Sequence, residues 1–293
     1  MKETVLVTGA DGMLGVDLME QLRDGPYKPV ASTIQSMDIM DKLRVRESLH
    51  SIKPDIVIHT AAYTDVDGAE TQKELCMAVN HHGTRNIAEL CLEIDAQLLY
   101  ISTDYVFDGS KKTPYLETDQ PCPINVYGES KLLGEQAILE TGLSSYKICR
   151  TSWLHGLHGI RGTNFLEAIF RAAANKEPLR IIRDQVGRPT FTFDLAVLLE
   201  KLLSVRENGI FHLTNTGECS WFEFTRSALE MEGIHDVEVI PIPSSEYKTK
   251  ARRPRNSRLA APRLEKLGLP LLRNWRDGLQ EYILRRRKIK END

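Results

Sequence analysis

Tyr127 and Lys131 stand four residues apart in Tyr127-Gly128-Glu129-Ser130-Lys131, and on a helix that spacing puts a phenol and an ammonium on one face. A phenol titrates at about pH 10, which makes it a sluggish proton donor or acceptor near neutrality. A neighbouring cation lowers that pKa by favouring the phenolate, and the same ammonium can hydrogen-bond a ribose. Just upstream, Ile101-Ser102-Thr103-Asp104-Tyr105 ends an apolar run in hydroxyls, so Thr103 can bond the same substrate oxygen as Tyr127. A chain with nine tyrosines meets a Tyr-x-x-x-Lys pair easily by chance, and the spacing alone decides nothing. Order gives it weight: a glycine loop comes first, then strands, then Ser-Thr at a strand end, then the tyrosine and lysine opening a helix.

The glycine loop is Val5-Leu6-Val7-Thr8-Gly9-Ala10-Asp11-Gly12-Met13-Leu14-Gly15, an apolar strand followed by the helical pattern of Val16, Leu18, Met19 and Leu22. Its G-x-x-G-x-x-G spacing meets the demand for close approach of backbone to an anion. Gly9 permits a tight turn out of the strand, and Gly12 leaves room for a pyrophosphate. Gly15 lets the new helix pack on the sheet with its N–H groups facing the phosphates. A dinucleotide is the ligand this context predicts.

Those residues need a scaffold, and the apolar pattern supplies one. Strands are expected over Val5–Thr8, Pro29–Thr33, Ile56–Thr60, Leu98–Ser102 and Tyr146–Arg150, with helices around Leu14–Leu22, Leu43–Ser51, Lys73–Glu93 and Ser130–Glu140. Near-continuous apolar strands alternating with amphipathic helices predict an α/β fold, a doubly wound parallel sheet covered on both faces. Ligands of such sheets bind at the carboxyl ends of strands, where the motifs above fall. The second half is less regular. Asn164–Asn175, Asp194–Val205 and Trp221–Gly233 read as helices, Gly209–Thr214 as a strand, and Glu246–Arg258 as a long polar loop.

Composition narrows the function classes. The formal net charge of −3 gives no pull toward nucleic acid or an anionic membrane, and no apolar run reaches membrane-spanning length. The cluster Arg285-Arg286-Arg287-Lys288-Ile289-Lys290 suits a helix C-terminus. Met1-Lys2-Glu3 leads straight into the first strand, and five scattered cysteines form no C-x-x-C pair, so a reducing cytoplasm is expected. His155 and His158 lie in a glycine-flanked segment and read as loop; no metal is expected.

This ordered set resembles the extended short-chain dehydrogenase/reductases and, more narrowly, the dTDP-4-dehydrorhamnose reductases of deoxysugar synthesis. The narrower resemblance rests on Ala61-Ala62-Tyr63-Thr64-Asp65-Val66-Asp67-Gly68-Ala69-Glu70, Ser102-Thr103-Asp104-Tyr105-Val106-Phe107-Asp108-Gly109 and Arg150-Thr151-Ser152-Trp153-Leu154. Asp184-Gln185-Val186-Gly187-Arg188-Pro189-Thr190 and Arg253-Pro254-Arg255-Asn256-Ser257 extend it over nearly the whole chain. It implies a Rossmann-type fold with a smaller C-terminal substrate-binding domain: residues 1–155 and 186–217 for the dinucleotide, 156–185 and 218–293 for a nucleotide sugar.

The implied reaction is reduction of the C4 ketone of dTDP-4-dehydro-L-rhamnose by hydride from NADPH or NADH. Tyr127 would protonate the developing alkoxide, Lys131 would tune it and hold the ribose, and Thr103 would steady the oxygen. Gly9, Gly12, Met13, Leu14 and Gly15 would cradle the pyrophosphate, with Asp38 and Ile39 beside the adenine and Ala61, Ala62 and Tyr63 along the cofactor's path. Asp104, Trp153, Asn164, Arg188 and Arg253 would meet the nucleotide sugar, since an arginine fork can bond two phosphate oxygens at once. The second-strand end, Ala31-Ser32-Thr33-Ile34, has no carboxylate to repel a 2′-phosphate and no arginine to bind one; NADPH is favoured, with NADH also usable. The partner expected is a dTDP-linked 4-keto-6-deoxysugar, with homodimerisation left open.

Plainer readings stand beside these. Trp153 also fits a core aromatic, Thr103 a strand-end cap, and Asp104 and Asp108 turn formers before Gly109. Arg252, Arg253 and Arg255 also fit a solvated basic loop. Two other functions share the superfamily: a nucleotide-sugar epimerase or dehydratase, and a non-catalytic NADP-binding regulatory subunit resembling that of methionine adenosyltransferase.

Overall fold

The computed structural model describes residues 2–158 and 164–292. Strand β1 (Thr4–Thr8) is the hub. It pairs in parallel with β2 (Lys28–Ser32) on one side and β3 (Ile56–His59) on the other. β4 (Gln97–Thr103) and β5 (Tyr146–Thr151) extend the sheet outward from β3, and Gly209–His212 closes the far edge against β5. The result is one six-stranded parallel sheet. Winding outward both ways from β1 leaves a crevice at the carboxyl ends of β1 and β3, where such sheets bind ligands. Gly9 sits there at φ +65, and a Cβ on it would lie 2.8 Å from the Ala61 Cα that follows β3. Only glycine lets those two strand ends meet so closely.

Alternation along the strands divides the core in two. Val5, Val7, Ile58 and Leu99 face helix α1 (Met13–Asp24) and the helix Thr192–Leu203, through Leu14, Leu18, Leu22, Leu195 and Leu199. Leu6, Val57, Leu98 and Tyr100 face the other way, onto α2 (Lys42–Ile52), α5 (Thr84–Glu93) and α6 (Val126–Glu140). Short helices α3 (Val66–Ala69) and α4 (Lys73–Met77) follow β3.

A third core lies off the sheet. Leu166, Phe170, Phe224, Trp275 and Tyr282 gather three helices, Phe165–Ala174, Trp221–Glu232 and Trp275–Asn292, around Leu179–Ile182 and Val239–Ile242, two strands paired in parallel. Ser220 and Glu223 form a reciprocal capping box on the Trp221–Glu232 helix, whose end is turned by Gly233 at φ 78.

Two sequence expectations need correction. Lys73–Glu93 is not one regular α-helix, because Ala78–Gly83 between α4 and α5 winds as a π-helix. Periodicity of apolar residues does not distinguish that local widening, which polar contacts of Asn80 stabilise (below). The 246–258 segment is irregular as expected but not solvated throughout: Ala251, Asn256 and Ser257 are buried. The arginines at 285–287 end a helix as expected, and Arg286 pairs with Glu167 and Glu232.

Candidate active site

Helix α6 delivers Tyr127 and Lys131. Its first turn is jammed against the Asp104–Val106 turn, because a Cβ on Gly128 would lie 2.1 Å from the Tyr105 carbonyl oxygen. Asn125 caps the helix, accepting the Gly128 N–H at 2.7 Å while donating to the Arg252 carbonyl at 2.8 Å. Tyr127 therefore lies edge-on to Tyr105, their rings 5.8 Å apart, with its phenol beside the Thr103 hydroxyl. Burial pushes the Tyr127 phenol up, and the Thr103 bond pulls the other way. Lys131 is buried, donates to the Ile101 carbonyl at 2.7 Å and sits 4.1 Å above the Tyr100 ring. Burial brings its pKa down to about 7, opposed by the charge of Glu135.

Thr103 fits the capping reading. Its hydroxyl accepts the Tyr105 N–H at 3.2 Å, capping the turn, and donates to Asp104 at 3.0 Å. Asp104 corrects the turn-former reading. It opens a 3-10 turn, yet its carboxyl is buried: one oxygen accepts from Thr103, the other has no hydrogen-bond partner, and burial pushes the group up to about 7, with neighbouring Ser257 pulling the other way. Asp108 does fit the turn reading, accepting from the Ser110 N–H and the Tyr115 hydroxyl.

Ser257 carries the cluster across to the third core, accepting the Trp153 indole N–H at 3.0 Å. Trp153 holds φ 47, packs flat on Trp221 with ring centres 3.6 Å apart, and leaves room for nothing larger than Gly187 beside it. It is a packed aromatic that also borders the polar cluster.

The glycine loop and the start of α1 have the features of an anion cradle. Among the described residues, helix α1 has no side-chain cap and no acidic residue in its first turn, so no side chain of its own offsets the positive end of its dipole. A Cβ on Gly15 would lie 2.2 Å from the Gly9 carbonyl oxygen. These features fit a dinucleotide pyrophosphate. Asp38 takes the Met40 N–H, while Ile39 is buried against Gly83. The Ala61 N–H reaches the Thr8 hydroxyl at 3.3 Å, and Asn80 in the π-segment grips both the N–H and the carbonyl of Tyr63.

Three residues expected to meet the sugar have protein partners. Arg253 is not a solvated loop residue: its guanidinium pairs with Asp67 at 2.7 Å and donates to the Ala251 carbonyl at 3.3 Å. Arg188 donates to the Leu259 carbonyl at 2.6 Å. Asn164 caps Phe165–Ala174 and donates to the Gly156 carbonyl, with Met13 Sδ 3.9 Å away. Thr103, Asp104, Tyr127, Lys131, Trp153 and Arg253 are thus joined through direct or one-residue contacts; Asp38, Ile39 and Arg188 are not part of that network.

Sequence reasoning passed over Asn80, Glu135 and Trp221. Glu135 had a signal, lying four residues past Lys131 on the same buried helix face. The two histidines separate. His155 is buried among Phe191, Phe224 and Tyr282, whereas His158 offers a nitrogen within 4.8 Å of carboxylate oxygens of Asp17 and Glu20. Gly159 of that segment lies outside the described residues.

Comparison with known proteins adds the following. Residues 1–287 match the family described as RmlD substrate binding domain. A spore coat polysaccharide biosynthesis protein, SpsK, of Bacillus subtilis is 41% identical, covering 96% of this chain and 97% of its own. The dTDP-4-dehydrorhamnose reductase of Mycolicibacterium smegmatis is 38% identical over 97% of this chain and 86% of its own. The crystal structure of dTDP-4-dehydrorhamnose reductase from Bacillus anthracis, in complex with NADP, superposes with a TM-score of 0.93 at 38% identity, covering 97% of this chain and all of that one.

Proposed function

The chain belongs to the RmlD substrate binding domain family, and from that premise we propose that it is an NAD(P)H-dependent dTDP-4-dehydrorhamnose reductase. The observation that supports the reading is that α6 brings Tyr127 beside Thr103 and Lys131 onto the Ile101 carbonyl at the end of β4, on the same sheet edge as the uncapped glycine loop. A reduced nicotinamide bound along that edge supplies the hydride. Tyr127 gives its proton to the oxygen that becomes the C4 hydroxyl. Thr103, beside Tyr127, holds that oxygen in line. Lys131 would favour the phenolate left behind and hold the ribose. Asp104, Trp153 and Arg253 frame the sugar nucleotide, which is of the 4-keto-6-deoxy class.

Residues 1–155 and 186–217 serve the cofactor, and 156–185 and 218–293 the sugar. In support, Gly209–His212 completes the main sheet while Leu179–Ile182 pairs with Val239–Ile242 outside it. A cytoplasmic setting accords with the free cysteines, and no described helix is long and apolar enough to cross a membrane. Sedimentation tests whether the working assembly is a homodimer. The epimerase, dehydratase and regulatory readings are not favoured, since the relatives from Mycolicibacterium and Bacillus anthracis both bear the reductase name.

The test is loss of NADPH or NADH absorbance with dTDP-4-dehydrorhamnose made in place from dTDP-glucose. Sugar-dependent oxidation supports the reductase and ranks the two cofactors. Cofactor binding without oxidation overturns it in favour of another 4-keto sugar or a regulatory role.

A further inference from the structure

Behind the proposed proton donor lies a buried ion pair that the reaction above does not use. Glu135 accepts from Arg150 Nε at 2.9 Å and from its Nη2 at 2.6 Å, a two-pronged contact between side chains only 2% and 1% exposed. The same carboxylate takes the Ser102 hydroxyl at 2.5 Å. Ser102 and Arg150 are register partners on β4 and β5, so one carboxylate pins α6 to both strands. Lys131, one helical turn earlier, pins α6 to the preceding residue of β4 through the Ile101 carbonyl. Thr103 follows Ser102 directly.

A buried ion pair costs desolvation that its Coulomb energy recovers poorly, so its presence beside a working site calls for a reason besides stability. We propose that Glu135, oriented by Arg150, is a positioning residue that keeps the buried Lys131 ammonium charged and sets the spacing between Tyr127 on α6 and Thr103 on β4. This rests on the reductase reading for its link to turnover, but the charge of Lys131 can be followed without the sugar.

Other groups around Lys131 do not take over that role. On α6, Tyr127 is held neutral by burial. From α4, the Cys76 thiol is raised by burial and bonded to Ser130. From β3, His59 is lowered to about 3 and stays neutral. The π-segment presents Asn80, and β4 the ring of Tyr100, whose phenol burial pushes up. Arg150 on β5 is of the wrong sign and is engaged by Glu135. Among the described residues, the charge of Glu135, one helical turn from Lys131 on the same buried face, is the leading influence that favours the ammonium, ahead of the Cys76 thiol that burial holds neutral.

The experiment is NADPH binding, read by its fluorescence, across pH 5 to 9 on the full chain. In the parent, affinity falls with rising pH as Lys131 loses its proton. Glu135→Gln should move that fall about one pH unit lower, and Arg150→Met, which leaves the Glu135 charge unopposed, should move it higher. Opposite shifts from two partners of one pair are not what a merely structural role produces. An equal loss of affinity at every pH, with the midpoint unmoved, overturns the proposal. If Glu135→Gln does not fold, the doubly neutral E135Q/R150M is measured; a downward shift supports the proposal, and an unmoved midpoint overturns it. A parent that binds NADPH with these shifts but reduces no 4-keto sugar refutes the reductase reading and leaves this one standing.

Discussion

Asp104 and Tyr127 are two acids of one cluster that respond to pH differently. The Asp104 carboxyl is raised from 3.8 to about 7, so its folded-state pKa lies above the unfolded one. The stability it contributes is full below about pH 4 and is lost as pH rises through about 7, at a rate of up to about 1.4 kcal/mol for each pH unit in between. Asp104→Asn should therefore leave the melting temperature nearly unchanged at pH 4 and raise it above the parent at pH 8, which calorimetry at the two pH values checks. Tyr127→Phe should cut turnover by at least about 10²-fold while NADPH affinity, measured by fluorescence, stays within about threefold. The roles proposed for Tyr127 and Lys131 were legible because their spacing on a helix is a local property. The burial of Asp104 was not, because neighbours such as Ser257 come from a segment about 150 residues away and meet it only in the folded chain.

At the scale of elements, close backbone approach is what the glycine loop achieves. Gly15→Ala forces a methyl group within 2.2 Å of the Gly9 carbonyl oxygen, so α1 must back away from the loop. We expect about 1–3 kcal/mol of destabilisation in urea unfolding and at least about tenfold weaker NADPH binding. Ser220→Ala removes one arm of a capping box far from the cofactor cradle and should cost about 1 kcal/mol with NADPH affinity unchanged. Strands β1 to β5 and their helices were legible within a residue or two in most cases, since period and glycine placement are written locally. The π-segment was not. Its widening places Asn80, whose side chain bonds Tyr63 and Ser130 at once, and those partners become neighbours only in the folded chain.

At the scale of the whole molecule, the Asp67–Arg253 pair ties the segment after β3 to the late polar loop, and the Asp67 carboxyl is pulled down mainly by that arginine. A nucleotide-sugar pyrophosphate would have to compete with Asp67 for the same guanidinium. Arg253→Ala should raise the KM for the sugar by about tenfold or more with NADPH affinity unchanged, and Asp67→Asn should shift KM the other way, both read by steady-state kinetics. The chain's return to the sheet has a consequence for how the protein is made. Strand β5 waits for its edge partner, Gly209–His212, until the excursion through the third core has been synthesised, and one face of the sheet waits likewise for Leu195, Leu199 and Leu202. A nascent chain that stops after β5 therefore carries an open strand edge and a bare apolar face, the two features that drive aggregation. Folding of the amino-terminal half is thus coupled to completion of the polypeptide, and a release at residue 158 should give insoluble chains rather than a small nucleotide-binding protein.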